Sequence, residues 1–313
     1  MRVLISGSTG MIGSALADRL RQQGYDVAGL IRPAARTQLS GAGTAGQGQI
    51  VHWDPVAGTL DRSADGADAM VHLAGASIAE GRWTSARKRL LQDSRIAATH
   101  NLIDELKKLR RPPRVFVAAS AIGIYGDRGD EELTESSAPG EDFLAGLTGQ
   151  WEEASSRASE FGARVVLVRI GIVLDKNGGA LPRMALPFRL GAGGRLGSGR
   201  QWMSWVTLYE LVTILQYAMH TDSIDGPLNA VSPKPVRNAD FTKILARVLH
   251  RPALFPAPAF ALRVALGELA DALLLSSQKV LPKKLASLGY HFAHPDLETA
   301  LRTILGTKSA PRR

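Results

Sequence analysis

Short apolar runs alternate, along the first half of the chain, with longer stretches in which apolar residues recur every three or four positions. The runs are rich in β-branched residues and typical of buried strands, whereas the longer stretches have the spacing of amphipathic helices. This alternation predicts an α/β fold with a doubly wound parallel sheet covered by helices. The predicted strands are Arg2–Ser6, Asp26–Ile31, Ile50–Trp53, Ala69–Leu73, Val115–Ala119 and Arg164–Ile170.

Helical spacing and helix-ending residues place the first helices. We predict one helix at Met11–Gln23, which ends at Gly24, and a longer one at Ser85–Lys108, which ends before Pro112. The glycine-rich segment Ser40–Gln49 is predicted to be a flexible surface loop.

Beyond about Gly171 the regular alternation of strand-like and helix-like stretches becomes less clear. Loops follow, and two more helices are predicted at Leu208–Met219 and Asn238–His250. We therefore expect a sheet domain at 1–170, to which 226–232 could add a further strand, and a smaller, mostly helical lobe at 171–313. Residues from about 256 onward are predicted to form a helical appendage of that lobe.

Composition narrows the class of protein. The 313 residues are 45% hydrophobic and contain no cysteine, which excludes disulfides, thiolate metal sites and cysteine nucleophiles. No apolar run reaches the roughly 18 residues of a membrane span, and the chain starts with a strand-like run instead of a secretion leader. We therefore expect a cytoplasmic protein that does not associate with membranes. The seven histidines are scattered, so we predict no metal site.

The net charge of +9 raises the question of nucleic-acid binding. The basic clusters "ARKRLLQDSR", "KKLRRPPR" and "KSAPRR" lie apart along the chain. The first two fall on or just after a predicted helix, where such charges usually form a solvated face. We therefore predict no nucleic-acid partner.

A glycine motif follows the first predicted strand directly. Strand, Gly7-x-x-Gly10-x-x-Gly13 and then helix is the context in which a dinucleotide binds, because glycines allow a tight turn and close approach of a pyrophosphate to the backbone. The amino end of the helix adds free N–H groups. The alternative is a simple turn. The predicted cofactor-binding residues here are Gly7, Thr9, Gly10, Met11, Ile12 and Gly13.

Arg32 follows the second predicted strand, where an acidic residue would bind the ribose 2′-hydroxyl of NAD. A guanidinium at this place pairs with a 2′-phosphate, so the sequence favours NADP(H) as the cofactor. Arg36 could assist. The alternative is a solvated arginine that follows a strand.

With these motifs the chain resembles the extended, epimerase-like branch of the short-chain dehydrogenase/reductase superfamily. The stretch "VHLAGA" is similar to the motif that lies beside the nicotinamide ribose, which implies cofactor contacts from Leu73, Ala74 and Gly75, and "SAIGIYGD" is similar to the following strand motif. The resemblance implies a Rossmann-type fold. It extends to an uncharacterised epimerase subgroup that carries an additional carboxy-terminal domain and whose plant members are associated with chloroplast division.

The resemblance also implies a catalytic set that this chain lacks in part. The superfamily uses a tyrosine, a lysine four residues later and a serine, but Leu144 and Thr148 or their immediate neighbours stand in the first two places. Arg95 stands where the family has a helix asparagine. Ser120 remains near the serine position, to within about one residue, and Tyr125 is a second catalytic candidate that could equally be a packing residue.

Substrate contacts are expected from "GRWT" and "GRQWMSW", which combine arginine with tryptophan and suit an anionic or planar ligand. The predicted pocket residues are Trp83, Arg200, Gln201 and Trp202. The alternative is that the tryptophans, Trp205 among them, are core anchors, and Arg169 could be a buried ion-pair partner.

Two functions remain open on the sequence. The first is an NADP(H)-dependent epimerase or oxidoreductase with a rearranged site, acting on an unknown small molecule, and its assembly as a homo-oligomer is left open. The second is a catalytically inactive nucleotide-dependent binding or regulatory protein, for example in a division-related process.

Overall fold

A computed structural model describes residues 1–32 and 49–306. Arg36 and most of the predicted loop Ser40–Gln49 lie outside the described residues, and Gln49 is the first residue of a strand. The strands are β1 (Arg2–Ser6), β2 (Asp26–Ile31), β3 (Gln49–Asp54), β4 (Thr59–Leu60), β5 (Ala69–His72), β6 (Val115–Ala121), β7 (Glu132–Leu133), β8 (Arg164–Ile170), β9 (Ile172–Leu174), β10 (Trp202–Met203), β11 (Trp205–Thr207), β12 (Gly226–Ala230), β13 (Val236–Arg237) and β14 (Lys279–Val280). The α-helices are α1 (Met11–Gln22), α2 (Ser85–Gln92), α3 (Ala98–Lys107), α4 (Phe143–Ser156), α5 (Leu181–Arg189), α6 (Leu208–His220), α7 (Asn238–Leu249), α8 (Ala259–Leu266), α9 (Lys283–Ser287) and α10 (Leu297–Leu305).

An eight-stranded sheet in the order β12-β8-β6-β5-β1-β2-β3-β4 forms the centre of the described chain. Every pair in it is parallel except β3 with β4. The order reverses beside β1, as in a Rossmann-type doubly wound sheet, which confirms the predicted fold class. Strand β12, from the second half of the chain, pairs with β8 and so extends the sheet built by residues 2–170.

The sheet strands are apolar because both faces are covered. Successive residues point to opposite faces, so Val3 packs with α1 and α6 on one side, while Leu4 packs with α3 on the other. The predicted strand and helix bounds agree with the observed ones within one or two residues.

The predicted helix Ser85–Lys108 is interrupted. Between α2 and α3 lies a π-helical turn at Asp93–Ala97. The hydroxyl of Thr99 donates to the carbonyl of Arg95, and the hydroxyl of Ser94 donates to that of Leu91 at 3.2 Å. Such side-chain bonds to the preceding turn compete with the regular backbone ladder. The wider turn shifts the register of the side chains that follow.

The carboxy-terminal lobe has its own core, in which α7 and α10 pack on Trp205. Its last segment is attached to the rest of the protein through Glu210 at the start of α6. The Glu210 carboxylate accepts the hydroxyl of Tyr290 at 2.7 Å and the backbone N–H of His294 at 2.9 Å. Within the described residues, the helices are all too short or too polar to cross a bilayer.

Candidate cofactor and substrate site

The turn between β1 and α1 depends on glycine at two positions. Gly7 has a left-handed backbone with φ of 68°, and a Cβ there would lie 2.9 Å from the carbonyl carbon of Leu73. A Cβ on Gly13 would lie 2.2 Å from the carbonyl oxygen of Gly7. A side chain at either position would collide with backbone, so these glycines let β1, the turn and the strand-end loop of β5 lie in contact.

Gly10 differs, because a Cβ there would meet only the Gly7 carbonyl oxygen, at 3.3 Å. It is exposed at the amino end of α1, where no side chain caps the helix and no acidic residue lies in the first turn. The outward N–H groups and the positive end of the helix dipole are therefore available to an anion. This cradle fits a pyrophosphate. The exposed Thr9 and the half-buried Met11 and Ile12 border it, and Met11 contacts Gly178 of the other lobe.

A buried hydrogen-bond chain fixes the loop that begins at Leu73. Ser6 Oγ accepts the backbone N–H groups of Leu73 and Ala74 at 3.1 and 3.3 Å, and it lies 2.6 Å from Nδ1 of His72. On the other side of the ring, Nε2 lies 3.0 Å from Thr99 Oγ1. Because Thr99 donates to a carbonyl, Nε2 carries the ring proton and Ser6 donates to Nδ1.

Burial keeps the ring of His72 neutral. Desolvation lowers the pKa of His72 to about 4, well below its usual value. The neutral ring can therefore act at once as acceptor for Ser6 and donor to Thr99. This arrangement holds Leu73 and Ala74 facing the β1–α1 turn.

Arg32 is exposed at the end of β2, beside the strand that ends at Asp54. The Asp54 carboxylate accepts two backbone N–H groups of the next turn, which lower its pKa, and the positive charge of Arg32 lowers it further. Within residues 1–32 and 49–306 no carboxylate forms an ion pair with Arg32, which lies at the carboxyl ends of the strands, where ligands of such folds bind.

Arg95 reaches from the π-helical turn to the loop after β5. Its Nη2 donates to the carbonyl of Ala76 at 3.0 Å, and its guanidinium lies 5.1 Å from the ring centre of Trp151. A Cβ on Gly75 would lie 3.3 Å from Cζ of Arg95. The residue at the predicted asparagine position therefore places a cation against the predicted cofactor loop.

Ser120 is held inside a buried polar network. Its hydroxyl donates to Glu152 Oε1 at 2.5 Å, and the same carboxylate is bound side by side by Arg169, with distances of 2.8 and 2.9 Å. Hydrogen bonding and the charge of Glu152 raise the pKa of Arg169 in spite of its burial. Ser120 is 3% exposed, so its hydroxyl does not face an open pocket.

Tyr125 belongs to the same network and is fully buried. Its hydroxyl donates to Asn229 Oδ1 at 2.7 Å and accepts from Arg169 Nη1 at 2.9 Å. Burial raises the pKa of Tyr125 further above its usual value. A phenol with both partners inside the protein is built as a packing residue, so the geometry does not support the predicted role of Tyr125 as proton donor to a substrate.

Leu144 and Thr148 lie one turn apart on α4, and both are buried. Leu144 packs against Gly123, where an added Cβ would be 3.5 Å away. Neither side chain can take up a proton near neutral pH. The described site therefore lacks the acid–base pair at these two positions.

The four predicted pocket residues do not form one group. Trp83 packs edge-on against Phe143 and donates to the carbonyl of Ile78 at 3.1 Å. The Gln201 amide donates to two backbone carbonyls, and Trp202 Nε1 donates to Asp130 at 2.8 Å.

The ring of Trp202 lies between the cations of Arg237 and Lys279, at 4.6 and 5.0 Å. The side chain of Arg200 is exposed. Trp205 is fully buried and fits the alternative of a core anchor, whereas Trp202 is only half-buried.

Sequence reasoning missed Glu152, Asn229 and His72. Each is buried and polar, and each is bonded to residues far away in sequence. The only local signal was the charge of Glu152 on the apolar face of α4, four residues after Thr148. Among the described residues, His, Asp and Glu nowhere cluster in a group that could hold a metal ion.

Comparison with known proteins places the chain in a family. A family model described as "NAD dependent epimerase/dehydratase family" matches residues 3–229. The chain belongs to this family. A second model, described as "Domain of unknown function (DUF1731)", matches residues 257–304 in the carboxy-terminal lobe. Both matches agree with the resemblance seen in the motifs.

Relatives span nearly the whole chain. The epimerase family protein Mb2239 of Mycobacterium bovis is 40% identical over 300 residues, which are 96% of each protein. The epimerase family protein YfhF of Bacillus subtilis is 36% identical over 309 residues, covering 98% of this chain and 99% of its own. The crystal structure of human epimerase family protein SDR39U1, isoform 2, with NADPH has a TM-score of 0.86 and 32% identity, and covers 98% of this chain and 100% of its own.

Proposed function

We propose that this epimerase-family chain binds NADP(H) at the β1–α1 turn and acts, without a tyrosine–lysine pair, on a small-molecule substrate in an epimerase- or oxidoreductase-like reaction. The observation that carries the proposal is the Gly7–Gly10–Gly13 cradle. Two of its glycines are required by close backbone contacts, while the third is exposed at a helix end that no side chain of its own caps. A solved relative that holds NADPH supports the same cofactor class.

Arg32 is the basis for NADP(H) over NAD(H). Charge-assisted bonds from a guanidinium to the 2′-phosphate would stabilise NADPH and give nothing to the 2′-hydroxyl of NADH. Asp54 lies near enough for its pKa to respond to Arg32, but its oxygen is already bound to backbone N–H groups. The guanidinium is therefore available to the phosphate.

In the proposed reaction the proton comes from a group other than Tyr125, whose hydroxyl is bonded to Asn229 and Arg169. When bound, the nicotinamide supplies or accepts a hydride. Ser120 and Tyr125 lie in the closed network of Glu152 and Arg169, so their part is to hold the ends of β6 and β8 beside the site. In this proposal a water molecule is the proton donor.

The second candidate is a nucleotide-dependent binding or regulatory protein. Two observations that weaken the case for catalysis favour this candidate. The buried Leu144 and Thr148 stand in the places of the acid–base pair, and Tyr125 is fully buried. Turnover separates the two functions: cofactor binding without turnover on any carbonyl or nucleotide-sugar substrate would support the second. A cytoplasmic location and self-association remain predictions from the sequence.

The test of the cofactor assignment is calorimetric titration of NADPH and NADH. We expect the wild-type protein to prefer NADPH by about 10- to 100-fold, from the usual strength of hydrogen bonds to charged groups, and Arg32→Ala to abolish the preference. Arg114→Ala is the matched control. Arg114 is also exposed, but it lies immediately before β6, at the amino ends of the strands and not at the carboxyl ends. Equal affinity for the two cofactors, or a preference that survives Arg32→Ala, would refute the assignment.

A further inference from the structure

The guanidinium of Arg95 has no carboxylate partner within residues 1–32 and 49–306. Its two hydrogen bonds go to the backbone carbonyls of Ala76, at 3.0 Å, and Leu91, at 3.4 Å. An arginine has five N–H donors, so three of them remain available. Arg95 is half-buried, and carbonyl dipoles do not neutralise its full positive charge.

The surroundings of Arg95 are electrostatically unfavourable for a cation. Burial, followed by the like charge of Arg87, lowers the pKa of Arg95 to about 10. Arg87 donates to the carbonyl of Ser77, so two arginines of one helical segment converge on the loop that follows Gly75. Arg87 forms an ion pair with Glu80, with Nη2 3.5 Å from Oε2. In the described part of the chain, Arg95 forms no ion pair with an acidic residue.

The indole of Trp151 lies against the guanidinium of Arg95. The guanidinium of Arg95 lies 5.1 Å from the centre of its ring. The indole is 6% exposed, and its Nε1–H is buried without an acceptor among the described residues. A buried donor without a partner costs free energy. Arg95 thus brings unused donors and a charge without a carboxylate partner beside Gly75, and the Trp151 ring lies next to its guanidinium.

We propose that Arg95, stacked on Trp151, binds an anionic oxygen group of the substrate, a carboxylate or a phosphate, next to Gly75. Such a group would supply the missing negative charge and accept the free N–H donors of the guanidinium fork. This inference rests on the proposed function. The anion is a substrate group only if the cofactor lies along Gly75, because the substrate is then held next to Arg95. Arg95 is here a binding residue, and its location in the π-helical turn aims it at the loop.

The test is calorimetric titration of the folded protein with oxalate and, separately, with inorganic phosphate, each with and without NADPH. We expect one of the two anions to bind saturably, one per chain, and Arg95→Gln to weaken it by about 10-fold or more. Arg89→Gln is the matched control, because Arg89 is exposed on α2 of the same segment, and it should bind as the wild type does. Saturable binding of oxalate would indicate a carboxylate ligand, and saturable binding of inorganic phosphate would indicate a phosphate ligand.

Trp151→Phe is the second variant, in case Arg95→Gln does not fold. It removes an indole N–H that has no partner, so we expect the protein to remain folded while anion affinity falls several-fold. Absence of saturable binding of either anion to the wild type, or equal weakening in Arg95→Gln and Arg89→Gln, would overturn the proposal.

Cofactor titration separates this inference from the proposed function. Arg95→Gln should bind NADPH as tightly as the wild type does. An equal loss of NADPH and anion affinity would show that Arg95 serves the cofactor phosphates, which would also overturn the proposal. A wild-type protein that binds the anion through Arg95 but binds no NADPH would refute the proposed function and leave the anion site standing.

Discussion

Glu152 on α4 and Arg169 on β8 form a two-hydrogen-bond ion pair, with both carboxylate oxygens within 2.9 Å of guanidinium nitrogens. Their side chains are only 10% and 7% exposed. The pair holds Ser120 through Glu152 and Tyr125 through Arg169, and Tyr125 in turn binds Asn229 of β12. The three strands at one side of the sheet are thereby tied to α4 by polar contacts.

Breaking this pair should destabilise the fold. Glu152→Gln leaves the buried Arg169 without its counter-ion, and removal of one partner of a buried pair typically costs about 3–5 kcal/mol. Urea unfolding measures the loss. Asp271→Asn is the control, because it breaks the exposed pair with Arg263 and should change little. A loss below about 1 kcal/mol in Glu152→Gln would show that the pair is not a structural element of this kind.

The fingerprint glycines should separate into two classes. Gly13→Ala places a methyl group 2.2 Å from the Gly7 carbonyl oxygen, so the turn must shift and stability should fall by about 1–3 kcal/mol. In Gly10→Ala the methyl group would lie 3.3 Å from the Gly7 carbonyl oxygen, which a small shift of the turn relieves, and it would stand on the exposed side where the pyrophosphate would approach. Its melting temperature should fall less than that of Gly13→Ala, and it should lose most NADPH affinity.

Gly146→Ala serves as the control for both glycine variants. Gly146 is exposed on α4, and an added Cβ would meet nothing within 4 Å. It should bind NADPH normally and melt no lower than the wild type. Normal NADPH affinity in Gly10→Ala would mean that the cradle does not hold a cofactor.

Turnover on simple carbonyl substrates should be low. Proton transfer by a positioned side chain typically contributes about 10²–10⁴-fold to rate, and Leu144 and Thr148 cannot provide it. A panel of ketones, aldehydes and nucleotide sugars with NADPH, followed by absorbance, measures this. Rates typical of tyrosine-dependent reductases would contradict the prediction.

Tyr125→Phe should affect stability more than activity. It removes two buried hydrogen bonds, to Asn229 and from Arg169, so the unfolding free energy should fall by about 1–3 kcal/mol. Any turnover per folded molecule should be unchanged. A variant with full stability and no turnover would instead restore Tyr125 as the proton donor predicted from the sequence.

Stability should rise with pH between about 4 and 6.5, in part through His72. The pKa of His72 in the folded state is lowered to about 4. As the pH falls below 6.5, the unfolded chain therefore takes up a proton at His72, whereas the native state does not. The contribution is present above pH 6.5 and lost towards pH 4, and amounts to about 3 kcal/mol, from 1.36 kcal/mol per pKa unit.

Urea unfolding at a series of pH values measures the His72 effect as a difference between variants. His72→Asn should flatten the slope relative to the wild type, whereas His291→Gln, at an exposed position, should not. An identical slope in wild type and His72→Asn would place the titrating group elsewhere.

The sequence by itself determined the local parts of this protein. The strands, α1 and the glycine turn follow from side-chain periodicity and from the backbone freedom of Gly7, both of which act over a few neighbouring residues. The position of Arg32 after β2 was likewise readable, because strand ends of a parallel sheet share one edge. The absence of the tyrosine–lysine pair followed from comparing the residues with the superfamily that the chain resembles.

Only the tertiary structure decided what the polar residues of the site do. The partners of Ser120 and Tyr125 lie 32 and 104 residues away, and no local pattern encodes such distances. The π-helical turn that aims Arg95 at Gly75 depends on side-chain bonds from Ser94 and Thr99, which helical periodicity does not reveal. Whether an arginine finds a carboxylate partner, as Arg169 does, or only backbone carbonyls among the described residues, as Arg95 does, is set by which elements the fold packs around it.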